Sequence, residues 1–453
     1  MSAQFVSRPH CAVFGGLRRV VLGGLRRALP VFAASLIVGR VVVAFPGPSV
    51  TYRFDAEGTE TATEKFVKPG DAYDAKRGYG FEPGSTPDAV RFSIRIPEDH
   101  FIDLDLRVTV VLESEQATET TVKAEARRLM LERVPTKAGE RVTRSFNVDV
   151  HQPKIDRTET SVKLNDREKA GFNWDDKLTL DVLAERPTLK QIVVTSSEHP
   201  PIAVYLAGDS TVCDQPNAPF SAWGAMLPRF FDDGVVVANH AESGRALRSF
   251  RNERRLDKIL SRLNSGDYVL IQFGHNDQKD KSAGAGAMTT YKADLERYVD
   301  AIKEKGATPV IVTSMYRRRF DANGKLQDTL GEYPAAARLV VRERNIPLID
   351  LHDLSGKLIV ALGPEPSKKA FVHFPAGAFP GRNEALSDDS HSSDYGAYEL
   401  AKCVIEAIRT SELPLAKHLR DDVKPFDPTK PDPFESFKLP SGVGGAFAKP
   451  EGS

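Results

Sequence analysis

The hydrophobic period of this chain changes near residue 200, and the change limits each half to a different architecture. Between about Thr51 and Ser197, apolar residues recur at every second position: Val90-Phe92-Ile94-Ile96, Leu104-Leu106-Val108-Val110, Phe146-Val148-Val150 and Leu178-Leu180-Val182. Side chains two apart share one face of a strand, so this alternation predicts half-buried strands stacked as an antiparallel β-sandwich. From Ile202 onward it gives way to short apolar runs, Ala203 to Ala207, Val235 to Ala238, Tyr268 to Phe273, Pro309 to Thr313 and Pro347 to Leu351, separated by helix-like segments. Strands that are apolar on both faces need helices above and below, which predicts a doubly wound α/β domain with a parallel sheet. The 453 residues suit two such domains with tails. The expected division is 1–49 for an export segment or anchor with a disordered lead, 50–198 for the sandwich, 199–415 for the α/β domain and 416–453 for a Pro-rich tail.

Loops at the carboxyl ends of parallel strands are where an open α/β sheet handles ligands. Three of the apolar runs end in polar segments: Gly208-Asp209-Ser210-Thr211, Asn239-His240-Ala241-Glu242-Ser243-Gly244-Arg245 and Gly274-His275-Asn276-Asp277. Asp388-Asp389-Ser390-His391 lies downstream. A serine hydroxyl becomes a useful nucleophile when an imidazole takes its proton and a carboxylate orients that imidazole, roles open to Ser210, His391 and Asp388. Asp388 and His391, three apart, share a side if they stand on one turn or a helix start. A tetrahedral ester intermediate needs donors already in place for its oxyanion, and the Gly244 amide and Asn276 side chain are suitable. Taken singly, these residues have structural readings: Ser210 could cap a helix, Gly244 could serve a positive backbone angle, and His275 reads as a local hydrogen-bonding residue. The combination favours chemistry.

With those blocks in view, the chain resembles the SGNH (GDSL-type) hydrolases, whose four namesake residues correspond in order to Ser210, Gly244, Asn276 and His391. The wording GDSTV, NHAESGRALRSF, QFGHND and DDSHSSDYGAYELAK is most similar to the rhamnogalacturonan acetylesterases, over about Ile202 to Thr410. The resemblance implies a flavodoxin-like α/β fold and a two-step acyl transfer. Ser210 is then the nucleophile, His391 the base and later the acid, and Asp388 its orienter. The amides of Ser210 and Gly244 with the Asn276 side chain form the oxyanion hole. The implied substrate is an acetylated, acidic polysaccharide, with xylan esters, lipid-like esters and a noncatalytic carbohydrate-binding role as alternatives. The stretch from Phe371 to Ser387 departs from the family by its length and its Gly, Pro and Ala content, and Ser390 stands where related sequences often carry threonine. The sandwich resembles the jelly-roll, galactose-binding-like modules that precede some pectin esterases, around Tyr73 to Gly80 and Trp174. Trp174, Tyr73 and Tyr79 are candidates to stack on sugar, although aromatics in sandwiches more often fill the core.

Other chemistries find little footing. There is no G-x-S-x-G elbow, no Walker-type loop, no zinc spacing among the 10 histidines and no calcium loop, so neither a metal nor a cofactor is expected. With 62 Lys and Arg against 62 Asp and Glu, the chain lacks the basic surplus of a nucleic-acid binder. The local run Arg317-Arg318-Arg319 follows a strand end, where it could meet uronate carboxylates or simply be solvated. Arginines at 18, 19, 26 and 27 precede an apolar stretch from Leu29 to Gly39, which predicts export, secreted or periplasmic, with an uncleaved membrane anchor as the alternative. Arg40 interrupts the run before it reaches the roughly twenty residues of a span. Export would remove Cys11 and leave Cys213 and Cys403, which could pair or stay as buried thiols.

Overall fold

In the computed structural model, residues 49–54, 56–96, 103–156, 158, 160–185, 188–196, 202–379 and 383–443 are described. The expected export segment, with Cys11, and the last ten residues lie outside them. Alternation produces ten strands in the first half: β1 (Val50–Phe54), β2 (Glu64–Val67), β3 (Tyr79–Phe81), β4 (Ala89–Arg95), β5 (Leu104–Glu113), β6 (Thr118–Ala124), β7 (Arg128–Thr136), β8 (Arg141–Val150), β9 (Lys177–Ala184) and β10 (Leu189–Ser196). They form two five-stranded sheets, β2-β1-β10-β5-β8 and β3-β4-β9-β6-β7. Every pairing is antiparallel except β1 with β2. The inward sets Leu106, Val108, Val110 and Leu112 from β5, Phe92 and Ile94 from β4, and Leu178 and Leu180 from β9 share one core with Tyr52 and Tyr79. Each such side chain contributes about 1.5–3 kcal/mol on burial, so the alternating pattern specifies the sandwich.

The second half is a parallel sheet of β11 (Ile202–Gly208), β12 (Val235–Asn239), β13 (Tyr268–Gln272), β14 (Thr308–Val312) and β15 (Leu348–Ile349), in the order β12-β11-β13-β14-β15. This is the flavodoxin-like order, with its switch point between β11 and β13. Successive residues of each strand feed different cores. Val204, Leu206, Val237 and Leu270 pack with the helices Leu351–Leu362 and Asp394–Thr410, whereas Tyr205, Val236, Val269 and Ile271 pack with Leu247–Asn252, Arg255–Arg262 and Lys292–Glu304. A hairpin of β16 (Phe371–Phe374) and β17 (Leu386–Ser392) precedes the last helix. That helix is seated tightly. The Ser393 side chain caps the Gly396 amide, and a Cβ at Gly396 would stand 1.8 Å from the Ala370 carbonyl oxygen. Among the described residues, no helix is long and apolar enough to cross a membrane.

The two halves interpenetrate. Leu129 of β7 belongs to the core beneath the α/β sheet, and the Asn147 side-chain amide of β8 donates to the carbonyls of Asp233 and Val235 at the edge strand. Residues 416–443 run back across both: Leu419 bridges Phe231, the Asp432 carbonyl accepts from the Tyr395 hydroxyl, and the Ser441 carbonyl accepts from Lys123 and Arg127.

Candidate active site

Ser210 sits in a tight turn just past the end of β11, with the next helix starting only at Trp223, so it caps no helix. The turn is held from inside. Asp209 Oδ1 accepts from the Thr211 amide and hydroxyl at 2.9 and 2.8 Å, and the Thr211 hydroxyl accepts from Gln272 Nε2 at 2.6 Å. Gln272, the last residue of β13, is fixed in turn by the Trp223 indole at 2.9 Å. The serine is 5 % exposed, and its Oγ lies 2.8 Å from His391 Nε2. His391 Nδ1 lies 2.9 Å from Asp388 Oδ2. With Nδ1–H donating to the carboxylate, Nε2 is left as the acceptor for the serine proton.

Asp388 and His391 meet in a way that corrects the expected turn or helix start. They lie on β17, where residues three apart would face opposite sides if the strand were regular. Phe371 pairs with Ser392 and its neighbour Val372 with Asp388, so residues 389–391 bulge out of the ladder. The bulge folds back on the carboxylate: Asp388 Oδ1 accepts from the amides of Ser390 and His391 at 2.8 and 3.0 Å. Burial alone would raise this carboxyl, but the His391 ring and those two amides outweigh it and hold the group at about 2. The adjacent Asp389 is anchored by Arg318 Nη1 at 2.7 Å and His373 Nε2 at 2.8 Å.

The two other blocks stand against the serine turn. Gln215 Nε2 donates to the Ser210 carbonyl at 3.0 Å and to Ser243 Oγ at 3.3 Å, tying the β11 and β12 loops together. Gly244 has φ +78°, the left-handed region that suits glycine, which turns its amide without a side chain in the way. Asn276 Nδ2 donates to the Arg245 carbonyl at 3.1 Å, leaving its second hydrogen for another acceptor. Among the described residues, neither the Ser210 nor the Gly244 amide donates to another group. The three donors come from the loops that follow β11 and its neighbours β12 and β13.

His275 is buried, with Nε2 at 3.0 Å from the Met315 carbonyl and Nδ1 at 3.4 Å from Asp209 Oδ2. Burial lowers its affinity for a proton, and Asp209 beside it only partly compensates. Of the three arginines expected at the substrate cleft, Arg318 is withdrawn. Its guanidinium is buried and engaged by Ser367, Asp389 and the Pro364 carbonyl, so its positive charge is already neutralised by a protein carboxylate. Arg319 is exposed, and Arg317 is half-buried between Thr329 and the His275 carbonyl, within the field of Asp209 and Asp388. Trp174 and Tyr79 are buried, whereas Tyr73 is partly exposed beneath Lys177 Nζ, 4.8 Å from the ring centre. Cys213 and Cys403 are free, buried thiols, both pushed up by desolvation.

Several supporting groups escaped the sequence. Phe220 lays its ring edge-on to His391 with centroids 5.8 Å apart, and belongs to an apolar cluster with Val372, Leu386, Phe374 and Phe379 that borders the site. Asp214 and Asp394 are buried against Arg128 and Arg127 of the sandwich. Their arginine partners lie 86 and 267 positions away in sequence, with no local pattern to connect them. Among the described residues, the one cluster with metal-ligand types is Asp149, His151 and His240. It does not fit an ion: the two imidazoles are stacked at 4.5 Å with an interplanar angle of 20°, so their in-plane lone pairs do not converge, and His151 Nδ1 is already 2.5 Å from Asp149.

The model of the GDSL-like lipase/acylhydrolase family matches residues 206–375. The chain is 46% identical over 221 residues to the rhamnogalacturonan acetylesterase RhgT of Bacillus subtilis, covering 48% of this chain and 94% of that protein. It is 33% identical to the probable rhamnogalacturonan acetylesterase YesY of the same organism, over 48% of this chain and 96% of that one. A third Bacillus subtilis relative, the uncharacterized esterase YxiM, is 25% identical over 377 residues, 79% of this chain and 90% of its own. The chain therefore belongs to the GDSL-like lipase/acylhydrolase family and is a carboxylic-ester hydrolase.

Proposed function

We propose that the protein is a carbohydrate O-acetylesterase working through a Ser210 acyl-enzyme, on an acidic polysaccharide such as rhamnogalacturonan. The observation that carries this reading is the continuous relay from Ser210 Oγ through His391 to Asp388, at 2.8 and 2.9 Å. Ser210 attacks the acetyl carbonyl as His391 Nε2 takes its proton. The oxyanion is met by the amides of Ser210 and Gly244 and by Asn276 Nδ2. His391 then gives the proton to the departing sugar oxygen, and a water activated by the same ring releases acetate. The substrate class rests on the names of the relatives, RhgT above all. Arg317, the half-buried arginine beside the site, is the group we assign to a uronate carboxylate of the substrate. The jelly-roll, galactose-binding-like character of the sandwich and secretion, with an N-terminal anchor as its alternative, are parts of this proposal that rest on sequence.

Acetate release from acetylated rhamnogalacturonan, acetylated xylan and a synthetic acetyl ester, with Ser210→Ala alongside, tests it. Release by the wild type alone, strongest on rhamnogalacturonan, is the expected result. Equal release from all three would remove the polymer preference, and full activity in Ser210→Ala would remove the mechanism.

A further inference from the structure

The β6–β7 hairpin of the sandwich is built unlike an ordinary turn. It places Glu125 at φ 54° and Arg127 at φ 70°, two non-glycine residues in the left-handed region. Such conformations persist where their surroundings over-determine them. Here the Glu125 amide donates to the Thr179 carbonyl, its carboxylate accepts from the Thr179 amide, and the Ala126 amide donates to Asn173. The result is that two adjacent arginines, both buried, leave the sandwich and enter the α/β domain.

Their targets are the two loops that carry the relay. Arg127 Nη2 donates to both carboxylate oxygens of Asp394 at 2.7 and 2.8 Å, and Nη1 donates to the carbonyls of Phe220 at 2.8 Å and Gln215 at 3.2 Å. Asp394 is the first residue of the helix that follows His391, and the Ser221 amide, next to Phe220, donates to the Ser392 carbonyl at 2.9 Å. Phe220 packs on the His391 ring, and Gln215 holds the Ser210 carbonyl. Arg128 Nε meets Asp214 Oδ2 at 2.5 Å, while Asp214 Oδ1 accepts from Asn239 at the end of β12. One planar guanidinium thus touches the serine side, the histidine side and the aromatic wall between them.

We propose that Arg127 is a positioning residue for catalysis: through Asp394 and the Phe220 and Gln215 carbonyls it sets the register of His391 against Ser210, making the sandwich a structural part of the active site. The inference rests on the Ser210–His391 mechanism. A lysine cannot span these acceptors, because its ammonium is a point charge on a flexible stem whereas the arginine fork is planar and rigid. Loss of register by about an ångström typically costs on the order of 100-fold in rate.

The experiment uses the full chain and a soluble acetyl ester, with Arg127→Lys, Asp394→Asn and the double variant Arg127→Met/Asp394→Asn. The double variant removes both charges of the Arg127–Asp394 pair together, while the buried Lys123 keeps Asp181 and the Ser441 carbonyl. We expect melting temperatures that leave each variant folded at the assay temperature, kcat lowered about 10- to 100-fold with KM within about twofold, and a double variant no worse than the singles, as for groups acting as a unit. A folded Arg127→Lys or double variant with wild-type kcat overturns the proposal, as does a loss of kcat that only tracks the unfolded fraction. Ser210→Ala run in parallel keeps the two readings apart: if it stays active, the relay itself has been misassigned, whatever Arg127 does.

Discussion

Asp388 serves the imidazole and the backbone at once, since one of its oxygens accepts two amides of the bulge and the other faces His391 Nδ1. Asp388→Asn retains an oxygen for the amides but presents an NH2 to Nδ1, which favours the wrong tautomer. We expect kcat to fall about 10⁴-fold with the fold kept, measured by ester turnover and circular dichroism. Because this carboxyl sits at about 2 in the folded protein against 3.8 ordinarily, its share of stability is complete above 3.8 and is lost as pH falls towards 2. Asn276 is half-buried, and its side chain meets the Arg245 carbonyl and the exposed Lys279 ammonium, so Asn276→Ala should lower kcat on the order of 10²- to 10³-fold while the melting temperature changes little. Asn276 was legible because its polar block directly follows an apolar run, and Asp388 because Asp388-Asp389-Ser390-His391 pairs a carboxylate with an imidazole three residues on. Arg127 and Asp394 were not, being 267 positions apart with no shared period to connect them.

At the scale of elements, the β16–β17 hairpin shows where pattern reading stops. Phe371 to Phe374 is too short and too close to Gly, Pro and Ala residues to announce a strand, and the bulge depends on pairing partners that no single segment reveals. The five parallel strands were readable, since burial on both faces leaves a local apolar record. Arginines 317 and 318 separate two roles that look alike in sequence. Arg318→Ala should lower the melting temperature by freeing Asp389, without altering KM on an acidic polymer. Arg317→Ala should raise KM on that polymer several-fold and leave a neutral synthetic ester unaffected, as side-by-side kinetics would show.

Across the whole molecule, the division into a sandwich and an α/β domain was visible in the change of period, but their union was not. Arg127, Arg128 and their carboxylate partners carry much of the join, and charge reads as surface until a buried partner is seen. His151 of the sandwich and His240 of the α/β domain stack at this junction, and burial holds both well below the usual imidazole range. A depressed imidazole contributes its stability fully above about 6.5 and loses it as pH falls below, by up to about 1.4 kcal/mol per pH unit and per histidine. Thermal melts at pH 7.5 and 5 should therefore differ, and the difference should shrink in His240→Asn. The clasp of Lys123 and Arg127 on the Ser441 carbonyl has a consequence for biosynthesis. Translation delivers the sandwich first, Asp394 much later and Ser441 later still, so the emerging hydrolase completes itself against a template already made. A chain stopped short of Asp388 carries the sandwich and no relay, while one stopped between Asp394 and Ser441 has every relay residue and lacks the carbonyl that Lys123 and Arg127 clasp.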